Sequence, residues 1–146
     1  MRIPFLLGRI VFGGVFLYNG INHLFIERKS LAQYAEAKKV PAPNLAVSAS
    51  GVMLLIGGAS ILLGIRPKIG ALAIAGFLAG VSPTIHDFWR AEDPTQRMND
   101  MTNFAKNMAL LGAALALMSV EEPWPASVPL AQPEARGYRT EDIVAA

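Results

Sequence analysis

The feature that most constrains this chain is a series of long apolar stretches with almost no charge. The first runs from Ile3 to Phe25 with one arginine inside it, and the second and third, Leu45 to Ile65 and Ile69 to Ile85, contain no charged residue. About 20 helical residues at 1.5 Å each cross a hydrocarbon core of roughly 30 Å. Because a helix satisfies its own backbone hydrogen bonds in lipid, these stretches predict transmembrane helices.

The composition supports a membrane protein and excludes several other classes. The 146 residues are 53% hydrophobic and 16% charged, whereas about a quarter of the residues of a soluble domain are charged. The net charge is only +2, and no basic run with interleaved aromatics suggests a nucleic-acid partner. Since the chain has no cysteine, it has no disulfide, thiolate nucleophile or cysteine-ligated metal of its own.

The connections between the apolar stretches predict how the helices are arranged. Residues 27–44 are polar and contain a short helix, which Ser30 and Gln33 would begin as a capping box. The turn at residues 66–68 is so short that the second and third spans must be antiparallel neighbours. Asp93, Pro94 and Gln96 form a specific helix start, an N-cap followed by proline in the first turn.

We therefore predict an all-α protein, a four-helix transmembrane bundle with up-down-up-down order, over residues 1–120. The fourth helix would enter the membrane near Phe104 and run to about Val120. Residues 121–146 are rich in proline and have no periodic apolar face, which predicts a disordered or extended tail with Trp124 at the membrane interface. We expect several spans in an inner or plasma membrane.

Two features of the spans have a structural interpretation. Small residues recur in the second span, and the predicted helix-packing glycines are Gly51, Gly57, Gly58 and Gly64. Arg9 lies less than two turns from the start of the first span, so its side chain can reach the headgroups. The alternative is that Arg9 shares a face with Phe16 and His23, which follow at intervals of seven residues.

Polar residues cluster where the helix order brings four helix ends to one membrane face. The predicted ligand-binding residues are Tyr18, Asn19, His23, His86, Asp87, Trp89, Lys106 and Asn107. A quinone needs an apolar slot for its tail and proton donors at its carbonyls, which histidine, lysine and tyrosine can supply. In this functional interpretation, the cluster binds a lipid-soluble redox molecule such as a quinone.

Two other interpretations of the same cluster stay open. In the structural one, His23 donates to a backbone carbonyl, Asp87 pairs with Lys106 or Arg90, and the aromatics mark the membrane interface. In the metal one, the two histidines ligate a haem iron, but two histidines near the surface make haem the weaker hypothesis. Zinc would need a third ligand such as Asp87, and the spacing carries no zinc signature. We expect no metal and no covalently bound cofactor.

Several motifs in order resemble the DoxX family of small four-helix bacterial and archaeal membrane proteins. They are L-x-R-I-V-F-G-G-V-F-L-Y-N-G-I-N-H-L-F, V-P-A-P, G-G-x-x-x-L-L-G, H-D-F-W and F-A-K-N-M-A-L-L-G-A. The resemblance runs from about Ile3 to Val120. It implies a place near a quinone-dependent electron-transfer system, as in the member linked to thiosulfate:quinone oxidoreductase. Many relatives carry a glutamate where this chain has Leu54, which implies that Asp87 replaces that carboxylate or that the activity is lost.

The leading hypothesis is therefore an accessory membrane subunit that binds a quinone and assists a partner holding the redox centre. The chain has no recognisable flavin, nicotinamide or cluster motif of its own. The rival hypothesis is a non-catalytic assembly subunit of a larger complex, and a small transporter is the third. The expected partners are membrane lipid and either other subunits or further copies of this chain.

Overall fold

The computed structural model describes residues 3–129, which form helices and connecting loops with no strand among them. Helix α1 spans Ile3–Ile21 and continues into a π-helical turn, Asn22–Ile26. The remaining helices are α2 (Arg28–Ala37), α3 (Pro43–Leu63), α4 (Pro67–Ile85) and α5 (Pro94–Met118). The prediction of an all-α fold is confirmed for these residues.

Three segments of the described chain are long and apolar enough to cross a membrane: Ile3–Ile26, Pro43–Leu63 and Pro67–Ile85. Helix α5 has 25 residues but does not join them, because its first half carries charged and amide side chains such as Asp100 and Lys106. Within residues 3–129, three of the four predicted spans are thus helices that are long and apolar enough to cross a membrane, and the prediction of a fourth spanning helix is not confirmed.

Helix α3 is the central element, since α1, α2 and α4 all pack against it, and α5 packs against α4. Side chains from α3 and α4 form the middle of the core, where Leu54, Ile61 and Ile74 are fully enclosed. Of this central pair, α3 packs against α1 and α4 packs against α5. This arrangement leaves room between α1 and α5 over the first half of α3.

Glycines set the close approach of α1 to α3. A Cβ added to Gly58 would clash with the backbone nitrogen of Leu17, and one added to Gly20 would lie 2.5 Å from the backbone nitrogen of Leu55. Small residues at such crossings let two membrane helices approach closely. Gly51 and Gly57 also lie in tight contacts: an added Cβ would lie 2.7 Å from the Leu24 side chain at Gly51 and 3.0 Å from the Gly70 carbonyl oxygen at Gly57.

Gly64 has a different position from the other glycines of the predicted packing face. It caps the carboxyl end of α3 with a φ of 70°, a left-handed conformation that favours glycine. A Cβ there would collide with Ser127. The geometry therefore places Gly64 at a helix end and not in a helix-packing stripe.

The two predicted helix starts have different outcomes. At α5 the N-cap prediction is confirmed, because the backbone nitrogen of Gln96 donates to Asp93 Oδ2 at 2.7 Å. At α2 the capping-box prediction is wrong. Since the π-helical turn keeps the chain helical as far as Ile26, α2 begins at Arg28, and Ser30 lies inside its first turn with its hydroxyl donating to Glu27.

The start of the C-terminal segment, residues 121–129, packs against the bundle, so the predicted tail boundary at 120 is too early. Trp124 is 2% exposed and stacks edge-on against Phe5 with ring centroids 5.3 Å apart. It is therefore a core residue and not an interface anchor. The tail prediction for residues 130–146 falls outside the described part of the chain.

Arg9 holds this segment in place. Its guanidinium donates to the carbonyl oxygens of Pro125 at 2.6 Å, Ala126 at 3.0 Å and Leu62 at 3.1 Å. The side chain is 3% exposed, so the prediction that it reaches the headgroups is wrong. The negative end of the α3 dipole, at Leu62, contributes to stabilising this buried cation.

Candidate functional site

A cavity of about 640 Å³ lies at the end of the bundle where the polar cluster was predicted. All five α-helices and the π-helical turn contribute to its lining, and α2 covers one side through residues such as Tyr34. Its walls are mainly apolar and include Phe16, Leu54 and Phe77. Because the lining residues Val15 and Met53 are 47% and 37% exposed, the cavity opens onto the surface of the bundle. Ligand sites typically have this size, with apolar walls and a few polar groups.

The structure brings five of the eight predicted site residues together in this cavity. They are Asn19, His23, His86, Lys106 and Asn107.

The other three predicted residues lie outside the cavity. Tyr18 is 62% exposed on the outer face of α1. Trp89 is 51% exposed and packs edge-on against Phe88 and Phe104. Asp87 turns away to an ion pair with Lys38. These three contribute to the surroundings of the site and not to its lining.

His23 is fixed by the last turns of its own helix. Its Nδ1 lies 2.8 Å from the carbonyl oxygen of Asn19, four residues earlier. The structural interpretation of the cluster predicted such a contact between His23 and a backbone carbonyl. The ring also meets the Phe77 ring edge-on at 6.0 Å between centroids. Since a carbonyl oxygen only accepts, Nδ1 carries the hydrogen, and Nε2 of the neutral ring is an acceptor.

His86 follows the last residue of α4 and contacts a buried carboxylate. Its Nδ1 lies 3.5 Å from Asp100 Oδ1, a long contact at the limit of a hydrogen bond. Asp100 is 1% exposed, and its Oδ2 accepts from Lys38 Nζ and from Gln96 Nε2, both at 2.9 Å. Lys38 Nζ also donates to Asp87 Oδ1 at 2.6 Å. We call Lys38, Asp87 and Asp100 the ion-pair cluster.

The ion-pair cluster sets the charge states next to the cavity. Burial disfavours the charged form of Lys38, but its hydrogen bonds to Asp87 and Asp100 outweigh this and raise its pKa. Burial also opposes the charge of Asp100, yet the hydrogen bonds from Gln96 and Lys38 lower its pKa. For His86 burial dominates and lowers the pKa, against the opposing effect of Asp100. His86 is therefore neutral at pH 7.

Asn107 is the least accessible polar side chain of the cavity lining. It is 7% exposed, and no hydrogen-bond partner for its amide is found among residues 3–129. Within that range, Arg9 Nε is the one fully enclosed side-chain nitrogen or oxygen atom without a hydrogen-bond partner. The Asn107 amide therefore faces open space in the cavity. An amide that faces a mainly apolar cavity without a partner can donate to and accept from the polar group of a ligand.

The DoxX family model matches residues 5–87, more than half of the chain. The chain belongs to the DoxX family. The family resemblance predicted from the motifs is confirmed for that region, which covers α1 to α4 and includes His23 and His86. No curated protein and no solved structure matched this DoxX protein.

Sequence reasoning missed three residues of the site in this DoxX protein: Lys38, Gln96 and Asp100. The spacing of Gln96 and Asp100, one helical turn apart, places both on the same side of α5. No comparable signal marks Lys38, which stands beside another lysine in a polar connection. Its role depends on how α2 packs over the bundle, which periodicity does not determine.

The predicted partners of Asp87 were wrong. Asp87 pairs with Lys38 and not with Lys106 or Arg90, because Lys106 Nζ donates to Asn103 Oδ1 at 2.7 Å in its own helix. The carboxylate that contacts a cavity histidine is Asp100. Across residues 3–129, no group of three or more histidine, aspartate or glutamate side chains is arranged to hold a metal ion.

Proposed function

We propose that this DoxX protein binds a quinone or a similar lipid-soluble redox molecule in the cavity and assists electron transfer by a partner protein. The observation that carries the proposal is the amide of Asn107, which has no hydrogen-bond partner among residues 3–129 and lines the same mainly apolar cavity as His23 and His86. Such a combination suits a flat polar head group with an apolar tail.

The shape of the cavity supports a ligand that arrives from the membrane. Its apolar walls come from the spanning segments, and its exposed rim residues, Val15 and Met53, belong to those segments too. A tail can thus pass between helices into lipid while the head group meets the histidines. The polar end of the cavity has the ion-pair cluster behind it, because His86 contacts Asp100.

The protein would act as an accessory subunit. Electron transfer needs a redox centre, and the sequence has no recognisable flavin, nicotinamide or cluster motif. A partner that holds such a centre would approach the polar face, and the redox molecule would move between the two through the membrane. We place the protein in an inner or plasma membrane, crossing it several times.

The experiment is purification from the native membrane in mild detergent, with mass spectrometry of the small molecules that co-elute. The wild-type protein should retain close to one redox lipid per chain, and His86→Ala and Asn107→Ala should lose most of it. Tyr18→Phe and Trp89→Phe are matched controls, since both side chains are exposed outside the cavity. These controls should retain the lipid.

A purified, folded protein without any redox lipid would contradict the proposal. If the same preparation contained a defined larger complex, the assembly-subunit hypothesis would replace it. Bulky substitutions at the glycine contacts between α1 and α3 would then disturb the complex more than substitutions in the cavity.

A further inference from the structure

The two cavity histidines are bound in the same way. Each uses Nδ1 for its one hydrogen-bond contact, His23 with the Asn19 carbonyl at 2.8 Å and His86 with Asp100 Oδ1 at 3.5 Å. Within residues 3–129, neither Nε2 atom has a hydrogen-bond partner, and neither is fully enclosed by protein atoms. Both Nε2 atoms are therefore accessible to a molecule in the cavity.

The partners of Nδ1 determine what Nε2 can do. The Asn19 carbonyl oxygen accepts only, so the ring hydrogen of neutral His23 lies on Nδ1. For His86 the contact is longer, but a lone pair on Nδ1 would face the negative carboxylate of Asp100, so the hydrogen lies on Nδ1 there too. Nε2 then carries a lone pair and no hydrogen. The cavity presents two hydrogen-bond acceptors, one from the end of α1 and one from the end of α4.

We infer that the cavity selects a head group that carries hydroxyl donors, the hydroquinone form of the redox molecule, over the corresponding quinone. This inference rests on the proposed function and names the form of the ligand. A hydroquinone hydroxyl donates to Nε2, whereas a quinone carbonyl would place an acceptor against an acceptor and leave both without a partner. Leaving a buried polar atom without its hydrogen bond is costly.

The other polar groups of the cavity do not reverse this selection. The amides of Asn19 and Asn107 and the hydroxyl of Tyr34 both donate and accept, so they serve either form of the head group. The hydroxyls of Ser50 and Thr84 donate to the carbonyl oxygens of Val47 and Gly80 at 2.9 and 2.8 Å, so towards a ligand they act as acceptors. Lys106 Nζ donates only, but the side chain is exposed and is bonded to Asn103 at 2.7 Å. The selective contacts are those of the two histidines.

The selection depends on pH through His86. The charged groups around it are Asp100 and Lys106 on α5 and Lys38 at the end of α2. Protonation of His86 would convert Nε2 into a donor, which suits a carbonyl. Because burial lowers the pKa of His86, the acceptor form persists to below about pH 6.5, the ordinary value for histidine. The preference for hydroxyl ligands should fall only in more acidic solution.

The test uses two pairs of probes with the detergent-solubilised full chain. One pair is a 4-alkylphenol and its methyl ether, which are redox-inert. In the ether a methyl group replaces the hydroxyl hydrogen, so the hydrogen-bond donor is lost. The other is a short-tailed benzoquinone and its hydroquinone, kept without oxygen. Isothermal titration at pH 7.5 should give about tenfold tighter binding for the hydroxyl member of each pair, the effect of one buried hydrogen bond.

Variants separate the donor contact from general damage. His86→Leu and His23→Leu should each reduce the phenol-to-ether ratio of affinities, because the hydroxyl loses its acceptor. Circular dichroism checks that both variants keep the helical fold. Tyr18→Phe, outside the cavity, should keep the wild-type ratio. Equal binding of phenol and ether, or tighter binding of the quinone, would overturn this inference and leave the proposed function standing. No binding of any probe would overturn both.

Discussion

The ion-pair cluster makes Lys38→Met an informative substitution. Lys38 Nζ is bonded to Asp87 at 2.6 Å and to Asp100 at 2.9 Å, and the side chains of those aspartates are 13% and 2% exposed. Methionine has a similar length but no charge, so two carboxylates would face each other without their shared cation. Removing one partner of a buried ion pair costs about 3–5 kcal/mol. Since the Lys38 side chain is itself 17% exposed, we expect the lower end, a loss of about 3 kcal/mol.

The assay is reversible unfolding in mixed micelles, followed by circular dichroism as the denaturing detergent is increased. Lys39→Met is the matched control, because Lys39 is the next residue, is exposed and makes no ion pair within residues 3–129. The double variant Lys38→Met with Asp100→Asn should recover part of the loss, since it removes one of the two opposing charges. If Lys38→Met and Lys39→Met unfold within about 0.5 kcal/mol of each other, comparable to an ordinary surface change, the cluster does not hold α2 to the bundle.

Three further substitutions test other contacts. Gly58→Ala should destabilise the fold by about 2 kcal/mol, because the added Cβ meets backbone atoms of α1. Gly14→Ala is its control: the added Cβ has open space, so the free energy of unfolding should not fall below that of the wild type. Arg9→Met should release residues 121–129, seen as faster amide hydrogen exchange there, and unchanged exchange would contradict its anchoring role. The pKa of Asp100 is lowered on folding, so its contribution to stability is present above about pH 3.9 and is lost as the pH falls further. Asp100→Asn should show less of this acid loss, and an unchanged pH profile would refute the assignment.

The helices could be predicted because their cause is local. Long apolar stretches determine where a chain can span a membrane. The start of α5 is determined by a hydrogen bond between two residues three positions apart, Gln96 and Asp93. The sequence predicted that several helix ends meet at one end of the bundle, and five of the eight predicted site residues do line one cavity.

The remaining contacts depend on tertiary packing that no local pattern encodes. Asp87 finds Lys38, 49 residues away, only because α2 folds back over the ends of α3 and α4. Arg9 and Trp124 were misread for a related reason. Each has the sequence context of a membrane-interface residue, yet Arg9 bonds to carbonyls 116 and 117 residues away, and Trp124 completes the core beneath α1.

Photo-crosslinking can show whether a redox head group occupies the cavity that His23, His86 and Asn107 line. A hydroquinone that carries a diazirine at the start of a short alkyl tail would be bound to the purified protein without oxygen and activated by light. Peptides that contain these residues should be labelled saturably, and the labelling should be competed by unlabelled hydroquinone and weakened by Asn107→Ala. Labelling confined to exposed residues such as Tyr18 and Trp89, or labelling that does not saturate, would contradict this occupancy.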